Sequence, residues 1–170
     1  FGNQRTYDYV VRREMAIAEG DALNKTYLNA SKRNIQNLGI FSSVVFTTIP
    51  GSDQDRKIVV VRVSEKSTGS LSFGAGFSSA FGVAGTASLS EANFLGRGHY
   101  VAINTNISAD KNLVNIKFVE PSLNNSPVLF GFDVYGQEDD VSGVSGYTQS
   151  IVGGGFNFGL PLSKKLNLNT

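Results

Sequence analysis

From residue 69 onward the chain alternates apolar residues with polar residues or glycine, strand after strand, and a period of two leaves few folds open. Turn signals divide this region into strands predicted at Gly69–Ser78, Val83–Asn93, His99–Ala109, Leu113–Glu120, Val128–Gln137 and Tyr147–Leu160, with a seventh beginning near Lys165. In the third, Val101, Ile103, Thr105 and Ile107 oppose Ala102, Asn104 and Asn106. The fourth sets Val114, Ile116 and Phe118 against Asn115 and Lys117. The fifth sets Val128, Phe130, Phe132 and Val134 against Gly131, Asp133 and Tyr135. In the sixth, Val152, Phe156 and Phe158 oppose Gln149, Gly153, Gly155 and Asn157. Two antiparallel structures produce such a pattern. A soluble sandwich turns the apolar face into its core, and an outer-membrane barrel turns it toward lipid with the polar face lining the lumen. Strand length favours the barrel: about ten residues, tilted about 40°, cover about 25 Å, the height of a lipid-facing band.

The first part of the chain is a different material. Residues 1–68 hold 17 charged residues and 4 Gly, whereas residues 69–170 hold 12 charged residues and 15 Gly. Nine of the 12 Phe fall in the second part. The stretch Ser64 to Gly69 reads as a short linker between two domains. Ahead of it the order is helix, helix, strand, strand. Thr6 is the expected N-cap of a helix carrying Val11, Met15 and Ala18 up to Gly20. Asn24 caps a second, in which Leu28, Ser31, Ile35 and Leu38 share a face before Gly39. Strands follow at Phe41–Ile49 and Ile58–Glu65, joined by a hairpin signal at Pro50-Gly51-Ser52-Asp53. Two helices on two strands make a thin core, which a strand preceding Phe1 would thicken, and the chain reads as a piece of something larger.

Composition excludes much chemistry. No Cys is present, so disulfides, thiolate zinc sites and thiol catalysis are ruled out. A single His, His99, cannot build a multi-His metal centre and has no Asp–Ser partners in a triad pattern. It is expected at the membrane interface or in the lumen, without a catalytic role. A net charge of +1 offers no basic stripe for nucleic acid. Gly74-Ala75-Gly76 and Gly153-Gly154-Gly155 sit between no strand and helix and precede no Gly-Lys-Ser/Thr, so they are not phosphate loops. Glu138-Asp139-Asp140 lacks calcium-loop spacing and is expected in a solvated external loop.

Several motifs, in one register along the whole chain, carry a resemblance. Gly2-Asn3, Arg12-Arg13-Glu14-Met15, Glu19-Gly20-Asp21, Leu38-Gly39-Ile40-Phe41-Ser42-Ser43-Val44 and Pro50-Gly51 resemble the last POTRA domain of the BamA family. Its members are core subunits of the Gram-negative outer-membrane barrel assembly machinery. Glu65-Lys66-Ser67-Thr68-Gly69, Phe73-Gly74-Ala75-Gly76-Phe77, Asn93-Phe94-Leu95-Gly96-Arg97-Gly98 and Glu120-Pro121 continue the likeness into the family's barrel. The resemblance implies an α+β POTRA domain over residues 1–66, lacking most of its first strand, in the periplasm. Residues 69–170 would be the first six antiparallel transmembrane strands, with the start of a seventh, of a barrel of about sixteen that this piece does not close.

The implied activity is insertion and folding of nascent outer-membrane barrel proteins, without covalent chemistry and without a cofactor or metal. The partners would be those barrel proteins, accessory outer-membrane lipoproteins and the bilayer. The resemblance puts a lateral seam at the first barrel strand, Ser70, Leu71, Ser72, Phe73, Gly74, Ala75, Gly76, Phe77 and Ser78. The residues argue for that on their own terms: two interior glycines, three of the smallest hydroxyl side chains at alternate ends and no β-branched residue make a strand that pairs weakly. Arg12 and Glu19 match family positions on the surface that meets an accessory lipoprotein. Taken without the resemblance, both read as solvated helix residues. Rival readings are a POTRA–barrel polypeptide transporter of the two-partner secretion type and a soluble adhesive sandwich with a helical cap.

Overall fold

The structure is a computed structural model that describes residues 1–53, 55–78, 82–140, 146–163 and 166–169. By contacts the chain separates into two compact units. One comprises residues 1–68 together with the turn Leu95–Gly98, and the other residues 69–94 and 99–170.

In the first unit, α1 (Asp8–Arg12) and α2 (Lys25–Asn37) precede an antiparallel hairpin of β1 (Phe41–Pro50) and β2 (Lys57–Glu65). Asn24 caps α2 by accepting from the Thr26 amide at 2.8 Å, and Gly39, at φ +70°, follows the C-cap residue Leu38 and turns the chain toward β1. Ser31 and Ile35 are the buried positions on α2. The core joins Val10, Ile35, Ile40, Phe41, Val44 and Val63, with Met15, Leu38 and Phe46 packed around them. Phe1 extends the small sheet: its amino group bonds the Val61 carbonyl at 2.8 Å and its carbonyl accepts from the Val63 amide at 2.9 Å.

The first helix is shorter than its periodicity implies. It stops at Arg12, so Met15 and Ala18 lie beyond it, and Thr6 is not its cap. Tyr7 holds the cap position with no side-chain bond, while the Thr6 hydroxyl donates to Glu65 Oε1 at 2.6 Å. The following segment is fastened to α2 instead of continuing as helix. The Ala16 amide donates to Ser31 Oγ at 2.8 Å and Asn34 Nδ2 donates to the Glu14 carbonyl at 3.2 Å. Backbone groups satisfied from the neighbouring helix have no need of helical partners of their own.

The second unit is a meander of seven antiparallel strands in sequence order. They are β3 (Gly69–Ser78), β4 (Gly82–Phe94), β5 (His99–Ser108), β6 (Lys111–Glu120), β7 (Leu129–Asp140), β8 (Thr148–Ser163) and β9 (Leu166–Asn169). Lys165, where the seventh strand was expected to begin, lies outside the described residues. The register lines the apolar positions up across the sheet. Leu71, Leu89, Ile103, Ile116 and Val134 are successive cross-strand neighbours, as are Phe118, Phe132 and Phe156. Phenyl rings stack along the second row, Phe118 on Phe132 at 5.2 Å, and Phe130 lies 5.3 Å from Phe158.

The opposite face is polar. Ser88 donates to Asn104 at 2.7 Å, Asn157 to Asp133 at 3.3 Å, and Lys111 pairs with Asp139 at 3.6 Å. Tyr135 lies over its cross-strand neighbour Gly153, where a Cβ would come within 2.6 Å of the phenol. Glycine on this face therefore makes room for a ring.

Two sequence readings change here. Glu138-Asp139-Asp140 is not a loop but the end of β7, paired with Asn112 and Lys111 on one side and with Thr148 to Ser150 on the other. The Lys111 ammonium offsets the charge that made this stretch read as solvated. Of the two places expected for His99 only the lumen falls away: it stands at the start of β5 on the same face as Val101, the apolar one, as an interfacial residue would. Its Nε2 meets Glu120 Oε2, and its ring lies edge-on to Phe118 at 5.3 Å.

Candidate functional site

Strand β3 is the end member of the sheet. All ten of its residues pair with β4, from Gly69 opposite Glu91 to Ser78 opposite Gly82, and among the described residues it has no second neighbour. One edge therefore carries backbone N–H and C=O groups available to another strand. The side chains add little to the ladder. On the apolar face Phe73 meets Ala87 and Ala75 meets Gly85; on the other, Gly74 meets Thr86 and Ser72 meets Ser88. The side-chain bond across this pair is Ser70 Oγ to Ser90 Oγ, 2.9 Å. Phe73 and Phe77 stand 77% and 79% exposed, whereas the phenylalanines of β6 and β7 are covered by one another. Cross-strand side-chain pairs are worth about 0.2–1 kcal/mol each relative to Ala–Ala, so β3 is held by hydrogen bonds and little else.

Arg12 and Glu19, placed apart by the end of α1, come together. Arg12 Nη1 lies 3.2 Å from Glu19 Oε1, with the side chains 74% and 93% exposed. A pair so solvated contributes at most about 1 kcal/mol to folding, and both ends remain open to a partner.

A third constellation escaped the sequence. Glu65, the last residue of β2, accepts at Oε1 from the Thr6 amide at 2.7 Å and the Thr6 hydroxyl at 2.6 Å. Its Oε2 accepts from the Arg5 amide at 3.1 Å and stands 3.5 Å from Arg5 Nε, while Arg5 Nη2 reaches the Lys66 carbonyl at 2.7 Å. Burial pushes the Glu65 carboxyl up, but the donors of Thr6 and Arg5 together outweigh it and hold the group below the ordinary carboxylate range. Glu14 goes the other way: burial raises it, and the neighbouring Arg13 offsets only part of that. No signal along the chain links Thr6 with Glu65, since neither forms a motif with the other. Among the described residues, no three His, Cys, Asp or Glu side chains gather as a metal site.

Residues 1–66 match the POTRA family model, described as a surface antigen variable number repeat, and residues 93–170 match the Omp85 superfamily domain. The outer membrane protein assembly factor BamA of Nitratidesulfovibrio vulgaris is 32% identical over 165 residues, which is 96% of this chain and 20% of that relative. The crystal structure of BamA from Haemophilus ducreyi lacking POTRA domains 1–3 superposes with a TM-score of 0.83 at 25% identity, over 98% of this chain and 32% of that one. CdiB from Acinetobacter baumannii shares the fold with a TM-score of 0.55 at 15% identity, over 94% of this chain. The chain thus spans about a fifth of its curated relative.

Proposed function

Because this chain belongs to the Omp85 superfamily, as a POTRA domain followed by outer-membrane barrel strands of the BamA type, we propose that it is the seam-bearing part of an assembly factor that inserts and folds other outer-membrane barrels. The observation that carries this reading is the sparse side-chain pairing of β3 with β4, which leaves its backbone the main thing it offers. An incoming terminal strand would bond Ser70 to Ser78 by β-augmentation, with backbone pairing as the whole of the chemistry. On this reading the protein is not an enzyme, and its POTRA domain works in the periplasm.

These 170 residues hold no cysteine, so no native thiol of theirs competes in a disulfide test. Single cysteines placed in the full-length protein at each position of 70–78 in turn should capture, by disulfide, a stalled barrel substrate carrying one cysteine in its last strand. A two-residue periodicity of capture is the expected outcome. The transporter reading draws on the CdiB likeness, which concerns the fold alone. Capture confined to polar-face positions such as Asn104 or Asn157 would replace our reading with that one.

Arg12 and Glu19 would form the contact with an accessory lipoprotein, each end of the exposed pair meeting an opposite charge. Exchanging them, Arg12→Glu with Glu19→Arg, keeps the internal pair but reverses its ends. Co-purification of the lipoprotein should fall about tenfold, since like charges then face each other. Undiminished recovery would remove these two residues from the interface.

A further inference from the structure

On the lipid-facing side of β3–β5 the row of large apolar residues is interrupted. Phe73, Gly85, Ala87, Thr105 and Ile107 surround a depression of about 200 Å³, lined also by Gly74 and Thr86. Gly85 and Ala87, two residues apart on β4, form its floor. Phe73, the β3 neighbour of Ala87, forms one wall, and Ile107, the β5 neighbour of Gly85, forms the other. Both walls stand clear of the sheet, at 77% and 61% exposure. The next residues on the same face of β4 are Val83 and Leu89. A Cβ built on Gly85 would meet nothing within 4 Å, so the space over the floor is open. The hydroxyl of Thr105 is turned into the sheet, donating to the Ala87 carbonyl at 3.3 Å.

We propose that this trough is a binding site for one alkyl chain of a membrane lipid, lying along β4 between Phe73 and Ile107. The inference rests on the strands' transmembrane placement and is independent of the assembly activity. Three features select the occupant. The trough is continuous with the face that the bilayer covers, so hydrocarbon is the medium that reaches it. Of its two threonines, Thr105 has its hydroxyl bonded to backbone and Thr86 belongs to the opposite face, beside Gly74; no charged side chain lines the trough, so a headgroup or a peptide backbone would find few partners there. Its volume admits six or seven methylenes if each takes about the ~30 Å³ of a liquid water. Within hydrocarbon there is no hydrophobic drive, and retention depends on dispersion contacts, which a trough with two walls provides and a flat strand face does not. A chain seated there touches β3, β4 and β5 together, and so ties the weakly paired strand to its neighbours.

The test uses the full-length protein in nanodiscs of phosphatidylethanolamine and phosphatidylglycerol, part of it carrying a photoreactive diazirine on the acyl chain, with no substrate added. After irradiation, adducts are mapped by tandem mass spectrometry. Adducts at Phe73, Ala87 and Ile107 should exceed those at Val152 and Phe156 by about fivefold, the ratio that some ten extra dispersion contacts give. Val152 and Phe156, at 83% and 72% exposure, are as accessible as the walls. Gly85→Leu fills the trough and should bring its adducts down to the Val152 level. Gly136→Leu, at an equally open glycine of the same face on β7, should leave them unchanged. If Gly85→Leu does not assemble, Phe73→Ala removes a wall and should give the same loss. Even labelling across the face, or trough adducts that survive both variants, would overturn the site. Because no substrate is present, that result would leave the assembly reading standing.

Discussion

Glu65→Ala is expected to lower the stability of the first unit by about 2–4 kcal/mol, because the carboxylate serves the Thr6 amide, the Thr6 hydroxyl and Arg5 together. Thr6 is 3% exposed, and water does not readily replace what Glu65 supplies. In a unit of this size the loss amounts to a fall of about 10 °C or more in its melting temperature. Hydrogen exchange of the intact protein localises it, with peptides covering residues 1–13 and 57–66 losing protection before the barrel strands do. The effect also depends on pH. The folded carboxyl is held below its ordinary value, so its stabilisation is complete above the unfolded value of about 4.3 and disappears as pH falls through the lower folded value. Glu14, raised by burial, contributes in the opposite sense: its contribution is present below the unfolded value and is lost as pH rises through the folded one. Glu65→Gln separates the two, since it should abolish the acid loss due to Glu65 while leaving the Glu14 response. An acid profile unchanged by Glu65→Gln would show that the ionisation of Glu65 contributes nothing to the unit's stability.

Gly96→Ala should be nearly as damaging. The residue stands at φ +73°, its carbonyl accepts from the Tyr7 amide at 2.9 Å, and a Cβ would fall 2.0 Å from the Arg5 carbonyl oxygen. The left-handed backbone alone costs an alanine about 1 kcal/mol; the collision with backbone, which cannot rotate away as a side chain can, brings the total to about 3 kcal/mol or more. Gly39→Ala provides the control, with φ +70° and nothing within 4 Å of the added methyl. Thermal melts of the two variants should differ by the collision alone. Equal losses would mean that the turn Leu95–Gly98 shifts to admit the methyl.

What the amino-acid order disclosed depended on how local each feature is. Strands β4 to β8 could be read because alternation is written residue by residue, and Gly69–Ser78 has the same limits in the sequence and in the structure. The cap of α2 is equally local, three residues carrying the whole signal. The end of α1 was misread because Thr6 competes between two roles, and the acceptor that wins it lies 59 residues away. Glu138 to Asp140 were misread because charge was taken for solvation while the partner, Lys111, sits on another strand. His99 and Glu120, and the trough over Gly85, exist only once the register is known. Arg12 and Glu19 stand out only through a likeness, and their contact spans the end of a helix that periodicity alone extends to Gly20.

The meander also has a kinetic meaning. Every described strand from β3 to β9 is bonded to the strand next to it in sequence, so among these strands no pairing must wait for a distant segment to arrive. Contact order within the sheet is therefore low for a β structure, and each added hairpin closes a loop of only a few residues at small entropic cost. Order can spread through such a sheet like a zip, from the ring-stacked ladders of β6 to β8 outward to the sparsely packed β3. Parting β3 from β4 then costs one sparsely packed ladder and leaves the other described ladders paired.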